Sequence, residues 1–210
     1  MRCLILSDIH GNLPALEQVI KKEPGIDQYI NIGDVVNYGP WSNKCVELID
    51  TLNCINIKGN HEEYFINGEC DVENDIVQAF FKKNYQEFSK FEIIGNYKDQ
   101  VMFNDFLLTH NLNGKEYVFR DTAVEIQKNI IIGHSHQQYH RTNDNYNLVN
   151  PGSIGQNRQN IELANYIIWD VEKNIFYLKE LLVNPNLLIN ELEIRKYPKI
   201  CIDYYKNKIK

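Results

Sequence analysis

Short apolar runs alternate with amphipathic segments in the first third of the chain. Three runs are long enough for strands buried on both faces of a sheet, and they cover residues 3–7, 28–33 and 54–58. The segment after Asn12 and the segment from Ser42 carry apolar residues at helical spacing, and both residues are expected to cap a helix. The resulting order of strand, helix, strand, helix and strand predicts a parallel or mostly parallel sheet.

The rest of the chain predicts fewer helices and more hairpins. Helices are expected over residues 72–90, over 121–128, and from about Pro185 with a break at Pro198. A buried strand is expected at 130–132, and hairpins at 98–103 with 106–109, at 139–142 with 146–149 across a turn at 143–145, and at 165–171 with 175–182. This order favours the α/β class, with two packed sheets and outer helices in a single domain over residues 1–210.

Polar residues follow the predicted strands where each strand ends. Five of the six histidines lie there, together with Asp8, Asp34 and Asn60. The five histidines are His10, His61, His110, His134 and His136. Open α/β sheets bind ligands at the carboxyl ends of their strands, and imidazole with carboxylate is a donor set that divalent metals bind. The pattern therefore predicts a metal site, although any one of these histidines alone is as readily explained by core or rim packing.

The composition of the chain adds evidence about which functions and locations are excluded. The 210 residues carry 22 Lys and Arg against 28 Asp and Glu, a formal charge of −6, which argues against general nucleic-acid binding. A nucleotide substrate stays open, because bound cations can hold its phosphates. No apolar run reaches the ~18 residues that a membrane span needs. The five cysteines are odd in number, widely spaced and without a CxxC pair, so we expect free thiols and a cytoplasmic location.

Five short motifs around these residues resemble, in order and spacing, those of the calcineurin-like metallophosphoesterases. They are Asp8-Ile9-His10-Gly11-Asn12, Gly33-Asp34-Val35-Val36-Asn37-Tyr38-Gly39, Gly59-Asn60-His61-Glu62, Thr109-His110 and Gly133-His134-Ser135-His136. Two further segments are similar to the small bacterial and archaeal phosphodiesterase branch, namely Asn37-Tyr38-Gly39-Pro40 and Asn150-Pro151-Gly152-Ser153-Ile154-Gly155-Gln156-Asn157-Arg158. Each motif alone is a weak pattern, but together they extend the resemblance over residues 3–158.

The resemblance implies a fold and a metal centre. The family fold is a four-layer αββα sandwich of two facing mixed β-sheets with outer helices. Two divalent cations would be bound, the first by Asp8, His10 and His136 and the second by Asn60, His110 and His134, with Asp34 bridging both. We expect Mn²⁺, with Fe, Ni, Co, Zn and Mg as alternatives, because nitrogen and oxygen ligands do not select one metal. His61 would bind no metal and would act on the scissile phosphate as general acid or transition-state stabiliser.

The implied reaction is hydrolysis of a phosphodiester, a nucleotide or a dinucleoside polyphosphate by in-line attack of a metal-bridging hydroxide. Asn12 and Arg158 are candidate substrate-binding residues, with helix capping and a plain surface position as the respective alternatives. Tyr38 and Tyr117 are candidates for stacking on a base, against the alternative of core or rim packing. Two other functions stay open: a phosphomonoesterase or Ser/Thr protein phosphatase with the same metal centre, and a non-catalytic metal-binding scaffold.

Overall fold

The computed structural model describes residues 1–112, 117–143 and 145–209 of the chain. The strands within these ranges are β1 (Arg2–Leu6), β2 (Gln28–Asn31), β3 (Ile55–Asn56), β4 (Gln100–Phe103), β5 (Phe106–Thr109), β6 (Asn129–Ile131), β7 (Gln138–Asn143), β8 (Tyr146–Pro151), β9 (Leu163–Asp170) and β10 (Ile175–Leu182). The helices are α1 (Leu13–Lys22), α2 (Ser42–Thr51), α3 (Asn60–Asn67), α4 (Asp75–Glu87), α5 (Phe91–Gly95), α6 (Pro185–Ile194) and α7 (Lys199–Lys206). None of these helices is long and apolar enough to cross a membrane.

The strands form two mixed five-stranded sheets. The first has the order β10-β9-β1-β2-β3, in which β1, β2 and β3 are parallel and β9 is antiparallel to both β1 and β10. The second has the order β4-β5-β6-β8-β7, which is parallel from β5 through β6 to β8 and antiparallel at both edges. The predicted α/β architecture of two facing mixed sheets with helices is therefore confirmed.

The side chains of β1 show why its sequence is apolar at every position. Cys3 and Ile5 are buried between the two sheets, in a cluster that includes Leu108 of the second sheet. Leu4 and Leu6 point to the opposite face and join the cluster formed with α1 and α2. A strand that is covered on both faces needs an apolar residue on each, which gives the continuous run that predicted it.

The outer face of the second sheet is covered by a segment without a helix, so the predicted helix over 121–128 is wrong. Thr122, Val124 and Ile126 are wholly or partly buried, whereas Ala123 and Glu125 between them are exposed. This alternation is that of an extended chain, which β-branched residues at every second position favour. The helices instead collect on the first sheet, where α1 to α5 share one cluster, and around α4, α6 and α7, which share another.

Other local predictions were partly correct. The three hairpins are present as β4–β5, β7–β8 and β9–β10, and Asp144 in one predicted turn lies outside the described residues. The break at Pro198 separates α6 from α7. Ser42 is the first residue of α2 and not its cap, because its hydroxyl accepts from the backbone N–H of Asn37 at 3.1 Å. Helix α3 was not predicted, and the helix predicted over 72–90 is the shorter α4.

Candidate metal centre

The seven candidate ligands lie just after strands of both sheets, six on loops and Asn60 at the first position of α3. They are Asp8 and His10 after β1, Asp34 after β2, Asn60 after β3, His110 after β5, and His134 and His136 after β6. All five strands present their carboxyl ends to this edge of the sandwich, which is where α/β sheets bind ligands. The structure therefore brings every ligand that the sequence predicts into one place.

The backbone of these loops is strained at the candidate ligands. Residues other than glycine rarely adopt a positive φ. Five candidate ligands do so, with φ of 51° at Asp8, 47° at His10, 57° at Asp34, 65° at His134 and 58° at His136. Each such residue costs roughly 1–3 kcal/mol and persists only where the surroundings determine its conformation. Strain concentrated in this way is typical of a functional site.

The first group of ligand atoms comes from Asp8, His10, Asp34 and His136, and these atoms lie within 4.8 Å of one another. Nε2 of His136 is 3.1 Å from Oδ1 of Asp8 and 3.2 Å from Nε2 of His10. Oδ2 of Asp8 accepts from the hydroxyl of Ser7 at 2.5 Å. Oδ1 of Asp8 is buried and has no well-aligned hydrogen-bond donor in the described part of the chain. A buried carboxylate oxygen in this position fits a bound cation.

The second group shares Asp34 with the first. Asp34, His110 and His134 place ligand atoms within 4.8 Å of one another. Oδ2 of Asp34 is 3.3 Å from Nε2 of His110 and 3.8 Å from Nε2 of His10. Oδ1 of Asn60 is 3.2 Å from the same His110 nitrogen. One carboxylate oxygen therefore faces both groups, as a bridging ligand requires.

Three of the imidazole rings are oriented by backbone carbonyl groups. Nδ1 of His10 lies 3.3 Å from the carbonyl oxygen of Val36. Nδ1 of His110 lies 2.6 Å from the carbonyl oxygen of Ile32, and Nδ1 of His136 lies 2.6 Å from that of Gln156. A carbonyl oxygen can only accept, so Nδ1 carries the proton in each ring. In the neutral ring the lone pair is then at Nε2, which points into the centre.

When the rings are neutral, this orientation places hydrogen-bond acceptor atoms close to other acceptor atoms. Nε2 of His10 faces Nε2 of His136, and Nε2 of His110 faces Oδ1 of Asn60, each pair at 3.2 Å. Two lone pairs at this separation repel unless positive charge lies between them. The donor set of imidazole, carboxylate and amide oxygen is one that divalent transition metals accept. The residues present therefore fit bound cations.

The pKa values of His110 and Asp8 reflect the same need for positive charge in the group, whereas that of His134 does not. Burial lowers the pKa of His110, but the charge of Asp34 and its hydrogen bond outweigh burial and raise the pKa to about 10. Burial raises the pKa of Asp8, but His136 and then His110 together outweigh this effect and hold the pKa at about 2. Burial is the main reason that the pKa of His134 is lowered to about 4. A proton on His110 thus occupies a position where a metal ion can replace it.

Glu62 holds the loop that carries Asp34. Its carboxylate accepts from the backbone N–H groups of Asp34 at 2.8 Å, Val35 at 2.7 Å, Val36 at 3.2 Å and Gly59 at 2.8 Å. Burial and the charge of Asp34 raise the pKa of Glu62 to about 7, while the backbone donors favour its charged form. Because Glu62 belongs to α3, it ties the loop after β2 to the start of that helix.

Close backbone approach fixes the orientation of Asp34. Its Oδ1 accepts from the backbone N–H of His61 at 2.9 Å, so Oδ2 is the oxygen left facing the centre. A Cβ at Gly59 would overlap the Asp34 carboxylate. A Cβ at Gly33, where φ is +98°, would come within 2.7 Å of Nδ1 of His110. Both motif glycines are therefore required by contact with the candidate ligands.

The end of β8 supports two of the ligand loops. Asn150 donates from Nδ2 to the carbonyl oxygen of Gly133 at 2.7 Å and to the hydroxyl of Ser135 at 3.0 Å. The hydroxyl of Ser153 donates to the carbonyl oxygen of Asp8 at 2.7 Å. These buried contacts explain why a segment without a candidate metal ligand accompanies the five motifs.

His61 lies beside the centre but belongs to neither ligand group. Its Nε2 is 4.0 Å from Oδ2 of Asp34, and its Nδ1 is 3.0 Å from Nδ2 of Asn37. Oδ1 of Asn37 in turn faces Nδ2 of Asn84 at 3.4 Å, and Oδ1 of Asn84 accepts from the hydroxyl of Tyr197 at 2.7 Å. A buried chain of hydrogen bonds thus turns Nε2 of His61 towards the candidate ligands.

The two candidate substrate-binding residues differ in their surroundings. Asn12 is buried and caps α1, because its Oδ1 accepts from the backbone N–H of Ala15 at 3.3 Å. Arg158 is exposed, and its guanidinium carbon lies 4.4 Å from the ring centre of Tyr117. The Tyr117 ring is stacked on His134 at 4.3 Å with an interplanar angle of 10°. Arg158 therefore lies at the edge of the metal centre, one ring away from a candidate ligand.

Tyr38 and a cavity mark two sides of the centre. The half-buried ring of Tyr38 contacts the rings of His10 and His61, with centroid distances of 4.9 and 5.4 Å. A cavity of about 300 Å³ opens beside Asn60 and His110. The centre is therefore bordered by an aromatic ring at one side and opens into a cavity at another.

Several residues that hold this site were not predicted from the sequence. Glu62 and Asn37 lie inside the quoted motifs, so their place in those motifs is a signal that could have found them. Asn84 lies on α4 and Tyr197 just before α7, far along the chain from every motif. Nothing in the apolar pattern distinguishes these two from other buried polar residues.

Comparisons with known proteins agree with the fold and the site. The family described as "Calcineurin-like phosphoesterase superfamily domain" matches residues 1–174. The chain belongs to this family of phosphoesterases, which use divalent metals, and its buried cluster of Asp and His is a candidate site for them. The predicted resemblance is confirmed.

Individual proteins of similar sequence or structure agree with this family membership. "Uncharacterized protein MJ0912" of Methanocaldococcus jannaschii is 31% identical over 208 residues, covering 79% of this chain and 81% of its own. "Phosphodiesterase YfcE" of Escherichia coli is 28% identical over 163 residues, covering 73% of this chain and 79% of its own. A metallophosphoesterase structure from Sphaerobacter thermophilus has a TM-score of 0.82 at 21% identity, covering 100% and 99% of the two chains, and shows the same fold. The protein is a phosphoric ester hydrolase, as predicted.

Proposed function

We propose that the protein is a phosphodiesterase whose site holds two divalent cations. The observation that carries this proposal is the position of Asp34, one oxygen of which faces two groups of opposed acceptor atoms. The first cation would be held by Asp8, His10 and His136, the second by Asn60, His110 and His134, and Asp34 would bridge them. When bound, such cations neutralise phosphate oxygens and lower the pKa of the attacking water.

His61 is the catalytic residue in this proposal. Asn37 donates to its Nδ1, so the neutral ring carries its proton at Nε2, the nitrogen that is turned towards the centre. From there the ring donates a hydrogen bond to the phosphoryl group in the transition state, or its proton to the leaving oxygen. A positioned general acid of this kind contributes about 10²–10⁴-fold to the rate.

The substrate is proposed to be a phosphodiester, a nucleotide or a dinucleoside polyphosphate. The relationship to a protein named as a phosphodiesterase supports the first of these classes. Arg158 offers a guanidinium fork to phosphate oxygens at the edge of the centre. Asn12 uses Oδ1 as the helix cap, which leaves its Nδ2 as a donor for a substrate oxygen. Mn²⁺ is the proposed metal.

We also propose that the whole chain forms one domain. β9 lies late in the chain and pairs with β1, and α7 at the end of the chain packs against α4. The site itself combines Asp8, near the start of the chain, with the late segment, since Gln156 orients His136 and receives a hydrogen bond from Tyr204.

The test is a substrate panel on protein reconstituted with Mn²⁺, Ni²⁺, Fe²⁺ or Co²⁺. The panel contains bis(p-nitrophenyl) phosphate, p-nitrophenyl phosphate, nucleotides, dinucleoside polyphosphates and a phosphopeptide. We expect hydrolysis of the diester with Mn²⁺ and its loss with a chelator. Faster turnover of the monoester or the phosphopeptide would replace the proposal by a phosphatase. A lack of hydrolysis with every metal would favour a scaffold.

A further inference from the structure

Two basic residues at the edge of the metal centre have no acidic partner in the described ranges. Arg158 lies between β8 and β9, and Lys208 lies two residues beyond α7. Neither forms an ion pair with a described carboxylate, whereas seven other described basic residues do, in a chain with a formal charge of −6. Unpaired positive charge at a phosphoesterase site requires an explanation.

Arg158 is connected to the centre through a stack of rings. Its guanidinium carbon is 4.4 Å from the centre of the Tyr117 ring, and that ring lies parallel to His134 at 4.3 Å. A guanidinium held over the face of a ring is positioned without using its N–H groups. Those donors stay available in the plane of the fork for an oxyanion.

Lys208 is connected to the centre through hydrogen bonds. Its Nζ lies 4.1 Å from the centre of the Tyr204 ring and 2.6 Å from the Tyr204 hydroxyl, to which it donates. That hydroxyl donates to Oε1 of Gln156 at 2.8 Å. The backbone oxygen of Gln156 accepts from Nδ1 of the candidate ligand His136 at 2.6 Å. The ammonium group is thus linked to Gln156, which lies two residues before Arg158 in the chain.

The two cations are close enough to influence each other. Burial, followed by the charge of Arg158, lowers the pKa of Lys208 to about 8. The charge of Arg158 also opposes the rise that burial causes in the pKa of Tyr204 and of Tyr38. The rings of these two tyrosines are 5.9 Å apart and therefore lie on the same side of the centre. Like charges held at the same site repel, and an anion bound by both offsets the repulsion.

We propose that Arg158 and Lys208 form a second anion subsite, which binds a phosphoryl group of the substrate other than the one that is hydrolysed. The proposal rests on the phosphoesterase function proposed above and narrows its substrate class. The substrate is then a phosphate ester that carries at least two phosphoryl groups, as nucleoside and dinucleoside polyphosphates do. A simple diester fills only the metal centre.

Binding of two phosphonates to the Mn²⁺-loaded protein tests the subsite without catalysis. Methylphosphonate carries one phosphoryl group and methylenediphosphonate two, and neither contains an ester bond to hydrolyse. Titration calorimetry gives the ratio of their dissociation constants for the wild type, Arg158→Gln, Lys208→Gln and Lys206→Gln. The last variant removes the same charge from the same end of the chain, at a side chain that is paired with Glu193.

We expect the wild type to prefer the diphosphonate, and each subsite variant to lose about tenfold of that preference, as for one charge-assisted hydrogen bond. Lys206→Gln should keep the wild-type ratio. An unchanged ratio in both subsite variants would assign the preference to the metal centre and overturn the subsite, as would a wild type that does not prefer the diphosphonate. Hydrolysis of bis(p-nitrophenyl) phosphate, measured in parallel, reports separately on the proposed function, because that diester carries only one phosphoryl group.

Discussion

Asn37 donates a hydrogen bond from Nδ2 to Nδ1 of His61 over 3.0 Å. Its direction is fixed from the other end of the chain of hydrogen bonds, where Nδ2 of Asn84 donates to the carbonyl oxygen of Phe80 at 3.0 Å. A carbonyl oxygen only accepts, so the nitrogen of Asn84 also faces Oδ1 of Asn37, and the nitrogen of Asn37 faces His61. His61 can therefore donate from Nε2 while it is uncharged.

The Asn37→Asp variant should lose activity at alkaline pH, where the wild type does not lose it through His61. The introduced carboxylate accepts from Nδ1, raises the pKa of His61 and leaves a lone pair at Nε2 once the ring is neutral. We expect kcat of the variant to fall as pH rises through that raised pKa, while the wild type loses no activity there through His61. The measurement is kcat against pH on an aryl diester. Asn96→Asp places the same charge on an exposed residue and should keep the wild-type profile, whereas identical profiles for all three proteins would contradict the assigned tautomer.

His61→Ala should separate catalysis from metal binding. The His61 ring contacts candidate ligands but belongs to neither ligand group, so we expect full metal content and a kcat lower by about 10²–10⁴-fold. His110→Ala should lose both metal and turnover, because its Nε2 faces Asp34 at 3.3 Å. Metal content by plasma mass spectrometry, together with kcat, distinguishes the two variants. Loss of metal from His61→Ala would place that ring among the ligands.

The sequence predicted the metal centre because its determinants are local. Asp8 and Asp34 each follow an apolar run whose residues are buried between layers, so strand ends and candidate ligands could be read together. The network behind His61 is different, since Asn84 and Tyr197 come from segments that only the tertiary fold brings to the site. No periodicity reports such contacts.

The wrong helix at 121–128 has a physical cause as well. Short segments with apolar residues fit both the helical period of about 3.6 residues and the strand period of 2. Here Val124 and Ile126 follow the strand spacing of two. The segment covers the second sheet with alternate side chains, as its extended backbone allows. Local pattern alone could not decide this, because the sheet that it covers is formed by residues distant in sequence.

Metal removal should lower the melting temperature. The opposed lone pairs of His10 and His136, and the positive φ at both, cost free energy that a bound cation offsets. With Mn²⁺ at about 100 times its dissociation constant, binding adds about 2.7 kcal/mol, or a shift of about 5–10 °C for a chain of this length. Calorimetry with and without chelator measures it. His110→Ala should show a smaller shift, and an equal one would exclude that residue as a ligand.

Metal binding should release a proton at neutral pH. Asp34 raises the pKa of His110 to about 10, well above its usual value, so the metal-free ring is protonated at pH 7 and must lose this proton to bind a cation. Apparent metal affinity should therefore increase with pH below about 10. Without metal, the stabilisation from His110 is fully present below about pH 6.5 and is lost as pH rises through about 10. Calorimetry in buffers of different ionisation enthalpy counts the protons released, and a heat independent of buffer would contradict the prediction.

Glu62→Gln should destabilise the loop after β2, whereas Glu63→Gln should not. The two oxygens of Glu62 accept from four backbone N–H groups, but glutamine offers one acceptor and would turn an N–H₂ group towards donors such as Gly59. Buried donors left without partners cost roughly 1–3 kcal/mol, and we expect a loss of this size in the free energy of unfolding. Glu63 is exposed on the same helix and is the matched control. Urea unfolding at pH 8, where Glu62 is mostly ionised, gives both values, and equal stabilities would show that the carboxylate does not hold the Asp34 loop.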